Sequence, residues 1–132
     1  MNSNDRTEKH LLFVDTEPFS LSGVYHLLRC DGVSVTVCSS MEEAVNAIER
    51  QAYALVLVGR RLSSSEDGAR FGLYARERRP GTDVVLIGNS EAETRQRRHN
   101  LEFFRCSLTL DGIQDLHRMI MNKGGLSAGP EI

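Results

Sequence analysis

The sequence predicts an α/β fold, a doubly wound five-stranded parallel sheet in a three-layer sandwich, and three observations predict it. The runs Leu11-Leu12-Phe13-Val14 and Ala54-Leu55-Val56-Leu57-Val58 are short, unbroken and apolar, as strands buried on both faces of a parallel sheet are. Strand-like and helix-like segments alternate five times along the chain, which implies right-handed crossovers that place helices on both faces. Proline, glycine and capping residues fall between the segments. With 132 residues and no internal repeat, the chain suits one domain, over residues 10–123.

Residues 1–9 form a polar arm expected to be disordered, and the glycine-rich residues 124–132 a loose tail. The first strand ends at Asp15, Thr16 and Glu17. Pro18 suits the first turn of a helix, where its missing N–H costs nothing, so a helix is predicted over 18–29. Leu21, Val24, Leu27 and Leu28 give that helix its apolar stripe, and Asp31-Gly32 stops it. Residues 33–38 alternate Val33, Val35, Val37 with Ser34 and Thr36, as an edge or half-covered strand does. Ser40 with Glu43 forms a capping-box pattern that opens a second helix through Gln51, with Met41, Ala44, Val45 and Ile48 inward. The central strand follows and closes on Gly59.

A loop through Ser63, Ser64 and Ser65 leads to a third helix over 67–79, closed by Pro80-Gly81. A fourth strand spans 83–87. Residues 91–100 are read as a polar helix with almost no apolar stripe. A fifth strand spans 103–106. The last helix, over 111–122, turns Ile113, Leu116, Ile120 and Met119 inward. This is a flavodoxin-like order of elements.

Composition excludes several functions. A hydrophobic share of 40%, a charged share of 26% and a formal net charge of -2 are ordinary for a soluble domain and give no electrostatic basis for nucleic-acid binding. Cys30, Cys38 and Cys106 are odd in number and lack CxxC spacing, so neither a disulfide framework nor a zinc site is indicated and a reducing cytoplasm is inferred. No run approaches the roughly 20 apolar residues of a membrane span. His10, His26, His99 and His117 show no ligand spacing and are assigned no catalytic role.

Over residues 10–123 the chain resembles the receiver domain of two-component response regulators. The segment Leu12-Phe13-Val14-Asp15-Thr16-Glu17-Pro18 is similar to the family's Val-Asp-Asp-Glu-Pro opening, the run from Tyr53 to Val58 to its third strand, and Asp67-Gly68 to the Asp-Gly that opens its third helix. The resemblance implies an aspartate at the end of the third strand that accepts a phosphoryl group, Mg²⁺ held by an acidic pair after the first strand, a Thr or Ser after the fourth strand and a Lys after the fifth. Position by position, Asp15 keeps the first acid. Thr16 replaces the second, Gly59 the phosphoacceptor, Gly88 the hydroxyl residue and Cys106 the lysine, with Ser107 where a cis-proline usually follows.

The chemistry follows from those substitutions. Glycine offers no nucleophile. One carboxylate beside a neutral threonine supplies too few hard oxygens for Mg²⁺. The loop between Gly59 and Asp67-Gly68 is one residue longer than the family's, but only Arg60, Arg61, Leu62 and serines lie within reach of the acceptor position.

The expectation is therefore a degenerate receiver, a pseudo-receiver without enzymatic activity, metal or cofactor. It would act in the cytoplasm, in two-component signal transduction, through protein–protein interaction. Arg95, Arg97 and Arg98, with Arg105 on the neighbouring strand, form a basic cluster. It falls on the face built from the polar helix, the fifth strand and the last helix, where the family's dimer and partner contacts lie, so a protein partner or a second copy is expected there. Arg60 and Arg61 are candidate anion contacts or a replacement for the missing cation's charge. Asp15 is expected to pair with an arginine such as Arg60. Cys106 is weighed as a redox sensor against an inert buried thiol. Two alternatives stand beside this reading: a small-molecule or anion sensor using a pocket vacated between Asp15, Gly59, Gly88 and Cys106, and a working phosphorelay receiver with an atypical acceptor.

Overall fold

The computed structural model describes residues 10–16, 22–63, 65–88, 101–105 and 109–123. The arm, the tail, the start of the first helix, the polar helix with Arg95, Arg97 and Arg98, and Cys106 with Ser107 lie outside these residues.

The elements, in chain order, are β1 (His10–Val14), α1 (Ser22–Cys30), β2 (Ser34–Cys38), α2 (Met41–Arg50), β3 (Leu55–Val58), the single turn α3 (Arg60–Ser63), α4 (Glu66–Arg78), β4 (Asp83–Gly88), β5 (Glu102–Arg105) and α5 (Leu110–Met121). All four strand pairings are parallel, in the order β2-β1-β3-β4-β5. The sheet predicted from alternation is thus the sheet observed, and the ends that fall within the described residues lie within one or two residues of the expected ones.

Residue parity sorts the core. Leu11 and Phe13 of β1, with Leu55, Leu57, Val85 and Ile87, face α1 and α5, where Val24, Leu28, Leu116 and Ile120 close one layer. Leu12 and Val14, with Val56, Val58, Val84 and Leu86, face α2 and α4, where Ala44, Ile48, Phe71 and Ala75 close the other. β1 and β3 are central and buried on both faces, hence their continuous apolar runs. β2 lies at the edge as expected, but its burial departs from the predicted alternation: Val33 is buried and Val35 half-buried, while Val37 is exposed and Cys38 buried. An exposed cluster in which Tyr74 and Arg78 both donate to the Glu49 carboxylate ties α4 to α2. Arg79 Nε adds a bond to the Ile48 carbonyl at the end of α2.

Local signals set the helix ends. Gly32 takes φ +80°, and the Val33 N–H returns 2.9 Å to the Leu28 carbonyl, closing α1 where Asp31-Gly32 placed its end. Ser40 Oγ accepts from the Glu43 N–H at 3.2 Å, but the reciprocal bond of the box runs from the Ser39 N–H to Glu43 Oε1, one residue upstream of the expected partner. The turn α3 replaces part of the expected serine loop; what organises it is a contact across 47 residues, described below.

His10, given no role from sequence, ties the amino-terminal end of the sheet together. Gln51 Nε2 donates to His10 Nδ1 at 2.8 Å, so the ring is neutral and its Nε2–H donates to Thr36 Oγ1 at 2.7 Å. The Tyr53 ring stands edge-on at 4.9 Å. Burial lowers the His10 pKa below its ordinary 6.5. A histidine whose folded pKa is depressed contributes stability that is whole above about pH 6.5 and is lost as pH falls through the folded value. Denaturation curves between pH 8 and 5 should show wild-type stability falling below about pH 6.5, and the fall should be flatter in His10→Gln.

Candidate functional site at the carboxyl edge of the sheet

Ligands of open parallel sheets bind outside the carboxyl ends of the strands, so the residues following β1, β3, β4 and β5 define the candidate site. Val14 is level with Val58, and Val58 with Leu86, while Gly88 pairs with Arg105. The ladder runs one residue past the strands: the Asp15 N–H donates to the Cys38 carbonyl at 3.1 Å, and the Gly59 N–H to the Val14 carbonyl at 2.7 Å. Asp15, Gly59 and Gly88 therefore meet at one edge, as the resemblance implied.

What fills this edge is Asp15. Its residue is 1% exposed, and its side chain lies flat against the Gly59 backbone. A Cβ placed on Gly59 would stand 2.3 Å from Asp15 Oδ2, 2.5 Å from its Cγ and 2.6 Å from its Cβ, all far inside van der Waals contact. Only a residue without a side chain allows the approach, so glycine at 59 is a steric requirement of this site. The space beside the Gly59 Cα, part of the pocket weighed as an alternative, is taken by the Asp15 carboxyl.

The carboxylate is held by backbone donors. Asp15 Oδ1 accepts from the Leu62 N–H at 3.1 Å and from the Thr16 N–H at 2.8 Å, and the Arg61 N–H also donates to the group. Two of these donors belong to α3, so Asp15 caps the turn after β3 and fixes the path of the chain leaving Gly59. Burial raises the Asp15 pKa above its ordinary value, and the backbone N–H groups and the Arg61 charge pull it partly back. The nearby Tyr25 phenol is pushed upward by burial and by the Asp15 charge.

Thr16 is exposed, Gly88 buried. Arg60 is half-buried and Arg61 exposed, both on α3, and the Arg61 charge acts on Asp15. Arg105 is exposed at the end of β5. Cys106, Arg95, Arg97 and Arg98 lie outside the described residues. Among the described residues no three His, Cys, Asp or Glu side chains are grouped to hold a metal ion, and no helix is long and apolar enough to cross a membrane. Sequence reasoning named Asp15 and Gly59 separately but missed that one excludes a side chain on the other; the glycine ending a buried strand beside a buried acid was the only signal.

No protein-family model matches the chain, and no curated protein matches it in sequence. Among solved structures it is similar to that of an adenylate cyclase from Rhodopirellula baltica, at 21% identity and TM-score 0.67, covering 86% of this chain and 87% of that one. It is also similar to a response regulator from Thermotoga maritima, at 18% identity and TM-score 0.69, covering 88% and 99%. A CheY-like response regulator receiver domain protein from Methanospirillum hungatei matches at 18% identity and TM-score 0.63, covering 86% and 96%. The parallel sheet, its strand order and these similarities give the chain the fold of response-regulator receiver domains.

Proposed function

We propose that this chain is a degenerate receiver module that takes part in signal transduction by protein contact, without accepting a phosphoryl group and without catalysis of its own. The observation that carries this reading is the Asp15 side chain packed on Gly59. It occupies the volume an acceptor side chain needs, and it spends its oxygens on the backbone N–H groups of Thr16, Arg61 and Leu62.

The residues present do not fit the Mg²⁺ that working receivers use. Mg²⁺ demands several hard oxygens in near-octahedral array, whereas among the described residues of this edge the Asp15 carboxylate is buried and already bonded, its neighbour is a threonine, and position 59 offers no oxygen beyond its backbone. The same filling counts against a small-molecule or anion sensor at this edge. What the fold retains is surface, and the partner face proposed includes Arg105 on the outer strand β5, together with Arg95, Arg97 and Arg98.

Incubating the protein with acetyl phosphate and Mg²⁺ and then measuring intact mass tests the reading. No phosphoryl adduct is expected; an acid-stable, base-labile mass gain would overturn it in favour of a working receiver.

A further inference from the structure

We infer that the β2 edge is a self-association surface, on which a second copy of this chain adds its own β2 antiparallel about a two-fold axis at Thr36, joining two five-stranded sheets into one of ten strands. The inference concerns the sheet edge opposite β5 and does not depend on the phosphorylation reading.

The backbone sets the register. The Cys38 carbonyl accepts from Asp15, so it faces β1. Backbone groups alternate along a strand, so those of Thr36 also face β1 while those of Val35 and Val37 point outward, with no strand beyond them among the described residues. In an antiparallel pair, hydrogen-bonded and non-bonded positions alternate. An axis at Thr36 makes Thr36 face its own copy as the non-bonded pair and sets Val35 against Val37 of the other copy as bonded pairs, with four hydrogen bonds in all. Val37 is 38% exposed, the exposed large apolar residue among those described; this register covers it with a valine.

The flanking helix is complementary to itself under the same axis. Between α2 and the β2 edge lies an open cleft of about 440 Å³, to which α2 contributes Glu43, Asn46, Ala47 and Arg50. These are positions i, i+3, i+4 and i+7, one face of the helix. The acidic residue lies in the first turn and the basic one in the last. Since α2 runs back along β2, an antiparallel second copy sets Glu43 of each chain beside Arg50 of the other, with Asn46 and the small Ala47 near the axis. Each residue of such an isologous interface meets its counterpart twice, and the cleft is the space a neighbouring strand and its helix would fill.

Sedimentation velocity of the full chain, from micromolar to hundreds of micromolar, tests this. A dimer is expected. Val37→Lys, at an exposed site where the fold tolerates it, should abolish it. Glu43→Arg and Arg50→Glu singly should each weaken it by more than about tenfold, because each creates two like-charge contacts, and the double exchange should restore it to within about threefold of wild type. Circular dichroism of each variant checks the fold. A monomer at every concentration, a dimer indifferent to these changes, or single and double charge variants equally impaired would overturn the inference.

Discussion

Gly59→Ala is expected to destabilise the domain by about 1–3 kcal/mol, the usual cost of forcing extra atoms into a packed site, as read from urea denaturation. Glycine-to-alanine changes commonly stabilise by restricting the unfolded chain, so the sign of this prediction is set by the site alone. The three atoms nearest the new Cβ all belong to Asp15, whose Oδ2 would be 2.3 Å away. That side chain cannot simply swing aside, because its other oxygen is bonded to Leu62 and Thr16. Gly59→Asp should cost more, since it adds a second carboxylate against a buried one. It should also fail to take a phosphoryl group from acetyl phosphate. Reinstating the acceptor residue does not reinstate the acceptor site.

Asp15→Ala should cost a further order of the same size. It strands the buried Leu62 N–H, and an unsatisfied buried donor costs about 1–3 kcal/mol. It also releases the turn α3, so amide hydrogen exchange at residues 60–63 should accelerate. Asp15→Asn keeps an oxygen for Leu62 and Thr16 but sets an amide NH₂ where the second oxygen stood, so its loss should fall between wild type and alanine. Its pH dependence separates charge from geometry. The folded Asp15 holds its proton more tightly than the ordinary value of 3.8. Protonation therefore favours folding. The stability this contributes is whole below about pH 3.8 and declines as pH rises through the raised folded value. Asp15→Asn has no such titration, so its stability relative to wild type should improve as pH rises across that window. A constant difference would show that burial does not raise this carboxyl.

The sheet was legible because burial on both faces writes itself into sequence as unbroken apolar runs, and β1 and β3 are such runs. β2 was legible as an edge strand from the polar Ser34 and Thr36 between its valines, but that Val37 stands exposed while Cys38 is buried was not. The helices were legible from their stripes and ends: Ser40 before α2, Gly32 after α1. The turn α3 was not, because its cause is the carboxylate of Asp15, just past the end of β1. Nor was the role of His10, whose partners Thr36 and Gln51 come from two other segments. The substitutions at positions 16, 59 and 88 could be read one by one. That Asp15 and Gly59 form a single packed unit could not, since 43 residues separate them and no local pattern encodes contact.

A double-mutant cycle on these two positions tests the packed unit most directly. Gly59→Ala is measured by urea denaturation in the wild-type chain and again in Asp15→Gly, where no side chain remains at 15 to be met. The cost of Gly59→Ala is expected to disappear in the Asp15→Gly background, giving a coupling energy of about 1–3 kcal/mol. An equal cost in both backgrounds would contradict it, leaving the glycine unexplained and the acceptor position open.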